Sequence, residues 1–285
     1  MHFAHMSELD GIKSRDHDEG FVLARFRIGA LPPDFYYIPN FITVEEEERI
    51  LGKIPAQRWI PLTHRRLQAY PSTLTKTNTL IASPLPQWLT HPIIDRFKSL
   101  GLFEHTPHQQ PNHVLVNEYR AGEGIMPHED GAAYAGVVAT VSLGGAVCLD
   151  VMAKVGGEKE EEKEEEEGKV ECTSVVGVEA SGGARAGKLT TAQNNLPARI
   201  LQERRSLLIT TGRAYEDLLH GITPITVDEQ LNADTVANWS LLGDSGVFEA
   251  KDGKNERGTR ISLTFRDVLK VSEAASKVLG GLDRR

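Results

Sequence analysis

The apolar positions change period along the chain. The segment TVEEEERILGKI opens on Thr43 with Glu46 three residues later, so a hydroxyl and a carboxylate can each satisfy a free backbone N–H at a helix start. It predicts a helix from about Val44 to Lys53. In PLPQWLTHPIIDRFKSLGLF, Leu89, Ile93, Phe97 and Leu100 share one helical face and predict a second helix. Beyond that segment the period shortens. HVLVNEY, GVVATVSLG, AVCLDVM, SLLITT, ITPITV and TRISLTFRDV are rich in β-branched residues and bounded by Gly, Pro or Asp, which predicts strands. Helices followed by many short strands predict an α+β domain with a sandwich or jelly-roll core. No internal repeat is visible.

Alternation also sorts the polar residues. Asn117 and Tyr119 share one face of their strand. Arg260, Ser262, Thr264 and Arg266 share one face of theirs, with Ile261, Leu263 and Phe265 on the other. Solvation is the default fate of such a polar face. The alternative is that the arginines point inward and hold a diacid.

Composition bounds the picture. A chain of 285 residues, 40% hydrophobic, has enough apolar material for a sizeable core. No run approaches the ~18 apolar residues of a membrane helix, and the polar start lacks the apolar stretch of a signal peptide. Membrane partners are therefore not expected. The two cysteines, Cys148 and Cys172, form no C-x-x-C pair, which argues against a disulfide scaffold or zinc ribbon and for a reducing compartment, cytoplasm and nucleus.

The net charge of −8 is unevenly spread. Glu158 to Glu167 holds eight Glu and two Lys, a balance of −6, and small polar residues follow. Residues 156–195 are read as a long disordered acidic insertion within a domain spanning 31–270, with a flexible N-terminus over 1–30 and a C-terminal tail over 271–285. The opposite bias lies upstream. Between Leu51 and Ile94 there is no Asp or Glu, while Lys53, Arg58, Arg65, Arg66 and Lys76 give +5, interleaved with Trp59 and Tyr70. Such a stretch suits a phosphate-bearing partner, or a surface whose acidic neighbours come from elsewhere in the fold. Composition alone favours neither.

The chemistry lies in NEYRAGEGIMPHEDG. His128 and Asp130 are two apart, and in extended backbone two such side chains point the same way and can grip one ion. His220, in YEDLLHGI between two predicted strands, supplies a third ligand. Two imidazoles and one carboxylate on a triangular face leave the opposite positions open, the arrangement of non-haem Fe(II) oxygenases. His64, His91, His105, His108 and His113 have no comparably spaced acidic partner, and His2, His5 and His17 lie in the stretch read as a flexible N-terminus.

His128-x-Asp130, then His220, then the alternating Arg260 to Arg266 motif resembles the AlkB family of Fe(II)- and 2-oxoglutarate-dependent dioxygenases, and within it the branch of AlkB homologue 6. The stretches NHVLVNEYRAGEGIMPHEDG, RRLQAY, LLHGI and RGTRISLTFR carry the resemblance, which covers roughly Leu31 to Val268 apart from the acidic insertion.

The resemblance implies a double-stranded β-helix with a nucleotide-recognition lid, here about residues 51–85. It implies Fe(II) on His128, Asp130 and His220, with O2 as co-reactant. Arg260 would pair with the distal carboxylate of 2-oxoglutarate, a planar guanidinium suiting a carboxylate. Asn117 and Tyr119 would contact the cosubstrate, with Ser262 and Thr264 on the same face and Arg266 near its metal-bound end. Ser262 departs from the pattern, since bacterial members usually carry Asn there, and one amide contact is shortened or lost.

The implied activity is oxidation of N-methyl groups on DNA or RNA, releasing formaldehyde, succinate and CO2, with Arg65, Arg66, Tyr70 and Lys76 as nucleic-acid contacts. Two other readings stay open: a nucleic-acid reader with little demethylase activity, and a protein hydroxylase. The sequence does not fix the oligomeric state.

Overall fold

The computed structural model describes residues 23–154 and 196–272. The acidic run, residues 1–22 and the tail from residue 273 lie outside that range, so the readings made for them have no structural counterpart here.

The first helix, α1 (Val44–Leu51), starts as expected. Thr43 Oγ1 accepts from the Glu46 N–H at 3.1 Å, and Glu46 accepts in return from the Thr43 N–H at 2.8 Å. The second expected helix is two, α2 (Gln87–Thr90) and α3 (Ile93–Ser99). Pro92 at the junction has no N–H for the ladder and breaks it. The apolar face survives the break, because Leu89, Ile93 and Phe97 are all buried.

Two antiparallel sheets face each other. The larger has the order β1 (Phe35–Ile38), β10 (Leu207–Thr211), β7 (Tyr134–Gly144), β14 (Arg260–Val268), β5 (His113–Tyr119), β3 (Arg66–Tyr70) and β2 (Ile60–Pro61). The smaller has the order β6 (Ile125–His128), β11 (Leu218–Ile222), β8 (Val147–Ala153) and β9 (Ala198–Gln202). Two further pairs, β12 (Val227–Asp228) with β13 (Asn255–Glu256) and β4 (Thr79–Ile81) with β15 (Lys270–Ser272), lie apart.

Each face of the large sheet has its own cover. Leu263, Phe265, Val114, Val116 and Val141 pack against the helices through Ile50, Leu89, Ile93 and Phe97. The Phe97 and Phe265 rings meet edge to face at 5.1 Å between centroids. The opposite face supplies Phe35, Tyr37, Tyr119 and Leu208, which meet Leu149, Val151, Ile200, Leu218 and Ile222 of the small sheet. Burying each such side chain contributes about 1.5–3 kcal/mol.

Two expectations need correction. ITPITV is not a strand; apart from Ile222, which ends β11, only Val227 of it pairs, in the two-residue β12. The strand lies just before it, so His220 is within β11 rather than between strands. Nor is the whole of 1–30 loose: Ile28 is fully buried, and its N–H donates to the Phe35 carbonyl at 2.9 Å.

Candidate active site

The polar face of β14 is buried. Arg260, Ser262, Thr264 and Arg266 are all under a tenth exposed, so the default reading of a solvated face is wrong and the inward one holds. Register explains the cluster. Arg260 lies opposite Tyr119 and Ser262 opposite Asn117 on β5, while on β7 Ser262 meets Ser142 and Thr264 meets Thr140. Directly opposed residues point to one face, so these groups converge on the space between the sheets. That space is a cavity of about 380 Å³ lined by all six sequence-assigned cosubstrate residues and by His128, Asp130 and His220.

The small sheet pairs two of the three candidate ligands, and Asp130 follows two residues beyond the end of β6. His128 on β6 is paired directly with His220 on β11. Between that pair and the next, Ile125 with Ile222, β6 spends one residue more than β11. This bulge throws Met126 outward, where it is 81% exposed, and lets Ile125 and His128 both face the cavity. The Met126 carbonyl then accepts from His128 Nδ1–H at 2.8 Å, which fixes the tautomer and turns Nε2 inward. One ligand atom from each of His128, Asp130 and His220 lies within 4.8 Å of the others. Oxygen and imidazole donors with no thiolate suit Fe(II).

Charge prepares the ligands. Burial alone would raise the Asp130 pKa, but Arg266, with smaller help from His220 and His128, holds it below the usual carboxylate value. Arg266 Nη2 donates to Asp130 Oδ1, fixing which oxygen is left for a metal. Burial pushes His220 down to about 4, so its imidazole is neutral near pH 7. Tyr215 Oη donates to the Gly131 carbonyl at 2.5 Å and pins the loop beyond Asp130.

Arg260 marks the other end of the β14 polar face. Its Nη2 donates to Ser142 Oγ at 2.9 Å and Gln202 Oε1 at 3.0 Å, and its Nε has no partner. No carboxylate among the described residues pairs with it. Burial pulls its pKa down to about 10, the sign of a cation held without its counter-charge. A buried, unpaired guanidinium lining a cavity is a seat for a carboxylate, and with the ligand triad it fits 2-oxoglutarate. Ser142 and Gln202 were not singled out in the sequence. Gln202 is the last residue of β9, and only the facing of the two sheets brings it to Arg260.

The four expected nucleic-acid contacts diverge. Tyr70 is 1% exposed; its ring meets Trp88 at 5.4 Å and carries the Arg58 guanidinium on its face, so it is no platform for a base. Arg66 Nη2 donates to buried Glu118 at 2.7 Å, its Nε makes an ion-pair contact of 2.7 Å with the other carboxylate oxygen, and the guanidinium stacks on half-buried Trp59. The acidic neighbour comes from β5, outside the acid-free stretch. Arg65, at the β2–β3 turn, points into the cavity and donates to Asn117 Oδ1 at 3.3 Å. Lys76 is exposed. Of the remaining histidines, His108 is bonded to Asp267 at 2.6 Å and His113 to the Ser72 carbonyl at 3.2 Å, away from the triad.

Comparison with known proteins agrees with this geometry. Residues 34–266 match the model of the 2OG-Fe(II) oxygenase superfamily. The chain is 33% identical to "Probable RNA/DNA demethylase ALKBH6" of Danio rerio over 88% of its own length and 93% of that protein. It is 25% identical to the Mus musculus protein "tRNA (carboxymethyluridine(34)-5-O)-methyltransferase ALKBH8", over 85% of this chain but only 31% of that one. Among solved structures, that of OsALKBH1 aligns with a TM-score of 0.44 at 15% identity, covering 83% of this chain and 99% of that one. The inward arginine face and the two-histidine, one-aspartate cluster thus have their context: the chain belongs to the 2OG-Fe(II) oxygenase superfamily and, within it, to the AlkB family of dioxygenases, in the branch of AlkB homologue 6.

Proposed function

We propose that this dioxygenase removes N-methyl groups from nucleic acid, with His128, Asp130 and His220 holding Fe(II) and Arg260 holding the distal carboxylate of 2-oxoglutarate. The observation that carries the cosubstrate assignment is the buried Arg260 guanidinium, without a carboxylate partner among the described residues, in the same cavity as the triad. We read the two facing sheets as the double-stranded β-helix of this family, and residues 51–85 as the part that meets the nucleic acid. When bound, iron and 2-oxoglutarate supply the oxidation: O2 is consumed, the cosubstrate becomes succinate and CO2, and a substrate C–H bond is hydroxylated. An N-hydroxymethyl product then breaks its C–N bond to give formaldehyde and N–H.

The chain's own part is orientation. His128 is aimed by the Met126 carbonyl, Asp130 by Arg266, and the diacid by Arg260, Ser262 and Tyr119. The substrate class rests on the relative named as an RNA/DNA demethylase and on the acid-free stretch. Within that stretch Arg65, which lines the cavity, is the contact this reading favours, while Arg66 is engaged with Glu118 and Trp59 and Tyr70 with Trp88 and Arg58. The test is turnover: N-methylated oligonucleotides should yield succinate and formaldehyde together. Weak turnover with retained binding would favour a reader.

A further inference from the structure

Gln202 is 1% exposed, lines the cavity, and reaches it from the small sheet, whereas the assigned cosubstrate residues lie on β5 and β14. Its amide orientation is fixed by chemistry. The atom 3.0 Å from Arg260 Nη2 must be the oxygen, because a guanidinium only donates. Ser142 completes the triangle, accepting from the same Nη2 at 2.9 Å and donating to Gln202 Oε1 at 3.2 Å. With its oxygen committed, the amide has an NH2 left over, and no acceptor for it occurs among the described residues. A buried amide whose donors have no protein acceptor, lining a cavity beside an unpaired guanidinium, describes half of a carboxylate seat.

The same position explains how the chain manages with Ser262. A hydroxyl at that point of β14 is shorter than an amide, and besides Asn117 of β5 this cavity receives a second amide from the opposite sheet.

We propose that Gln202 is a cosubstrate-positioning residue: its Oε1 holds Arg260 in place and its NH2 donates to the distal carboxylate of the diacid. The inference rests on 2-oxoglutarate occupying this cavity, as proposed above. A neutral amide is suited to the role because it supports the guanidinium without cancelling its charge. A carboxylate at the same point would pair with Arg260 and repel the diacid.

The test is binding without turnover. N-oxalylglycine, a diacid that chelates metal and carries a distal carboxylate, and oxalate, which chelates but has no distal carboxylate, would each be titrated into the Mn(II)-loaded full chain by calorimetry. Gln202→Leu should weaken N-oxalylglycine binding about tenfold, the loss of one hydrogen bond to a charged group. Gln202→Glu, nearly the same shape, should weaken it more than Gln202→Leu does, with a melting temperature equal to or above the parent's. Oxalate should bind parent and both variants alike. If the parent binds N-oxalylglycine and both variants stay within twofold of it, Gln202 has no such role. If oxalate affinity falls in step with that of N-oxalylglycine, the substitutions disturb the metal end and the proposal is equally overturned. A parent that binds oxalate but not N-oxalylglycine would overturn the Arg260 assignment itself.

Discussion

Three side chains are the proposed metal ligands of this site. His128, Asp130 and His220 form the one cluster of histidine and carboxylate groups of this kind among the described residues, so no spare ligand stands nearby. His128→Ala, Asp130→Ala and His220→Ala should each reduce bound iron, measured by stoichiometric titration, from about one per chain to a small fraction of it. Iron content unchanged in all three would remove the assignment. A second residue bears on pH. Burial, and then the nearby Arg266 charge, push His113 down to about 4, while its unfolded value is 6.5. Between those values the unfolded chain binds the proton and the folded one does not, so stability falls as pH drops through this window and levels off below it. The lost stabilisation is at most about 3 kcal/mol. His220 shifts in the same direction in metal-free protein, so the comparison must isolate His113. His113→Phe, which cannot take the proton, should show a shallower decline in denaturant midpoint from pH 6.5 to 4 than the parent. Parallel declines would contradict this.

At the scale of elements, the ligands depend on how β6 lies against β11. Gly124, just before β6, faces the Ile222 carbonyl so closely that a Cβ there would come within 2.1 Å of the oxygen. Gly124→Ala must push the two strands apart, at a cost of about 1–3 kcal/mol. Both melting temperature and iron affinity should fall together; a stable variant with parent-like iron binding would show that the strands tolerate the change. This element also shows where the sequence was readable. Period-two alternation in β5 and β14 placed Asn117, Tyr119 and the four β14 residues on common faces, because a ladder imposes that period. The β6 bulge was not readable, since IMPH has no alternation of its own and the extra residue is defined only against β11. Gln202 and Ser142 were missed for the same reason: a polar residue in a strand, whether short β9 or long β7, signals nothing until its neighbours on the facing sheet are known. The engagement of Tyr70 and Arg66 was not readable because a stretch without acids looks free of partners, while Glu118 reaches Arg66 from β5 and Trp88 of α2 folds back onto Tyr70.

At the scale of the molecule, β8 and β9 are adjacent antiparallel strands, with Val151 paired to Ala198 near the point where the acidic segment departs. The chain needs only a short connection there. Deleting residues 158–193 changes mainly loop-closure entropy, which varies slowly with length, so the melting temperature should move by no more than about 4 °C and the affinity for N-oxalylglycine should hold. A large loss of stability would mean that the segment packs on the sheets. The central claim concerns what the two-sheet cavity acts upon. Its most direct test is to incubate the Fe(II)-loaded full chain with 2-oxoglutarate and O2 against matched panels of N-methylated DNA, N-methylated RNA and peptides, and to quantify succinate, formaldehyde and peptide mass in each. The account predicts that a methylated oligonucleotide stimulates succinate formation, with one formaldehyde released per succinate and both lost in His220→Ala. Succinate formation stimulated only by a peptide that gains one oxygen atom, with no formaldehyde from any oligonucleotide, would contradict it.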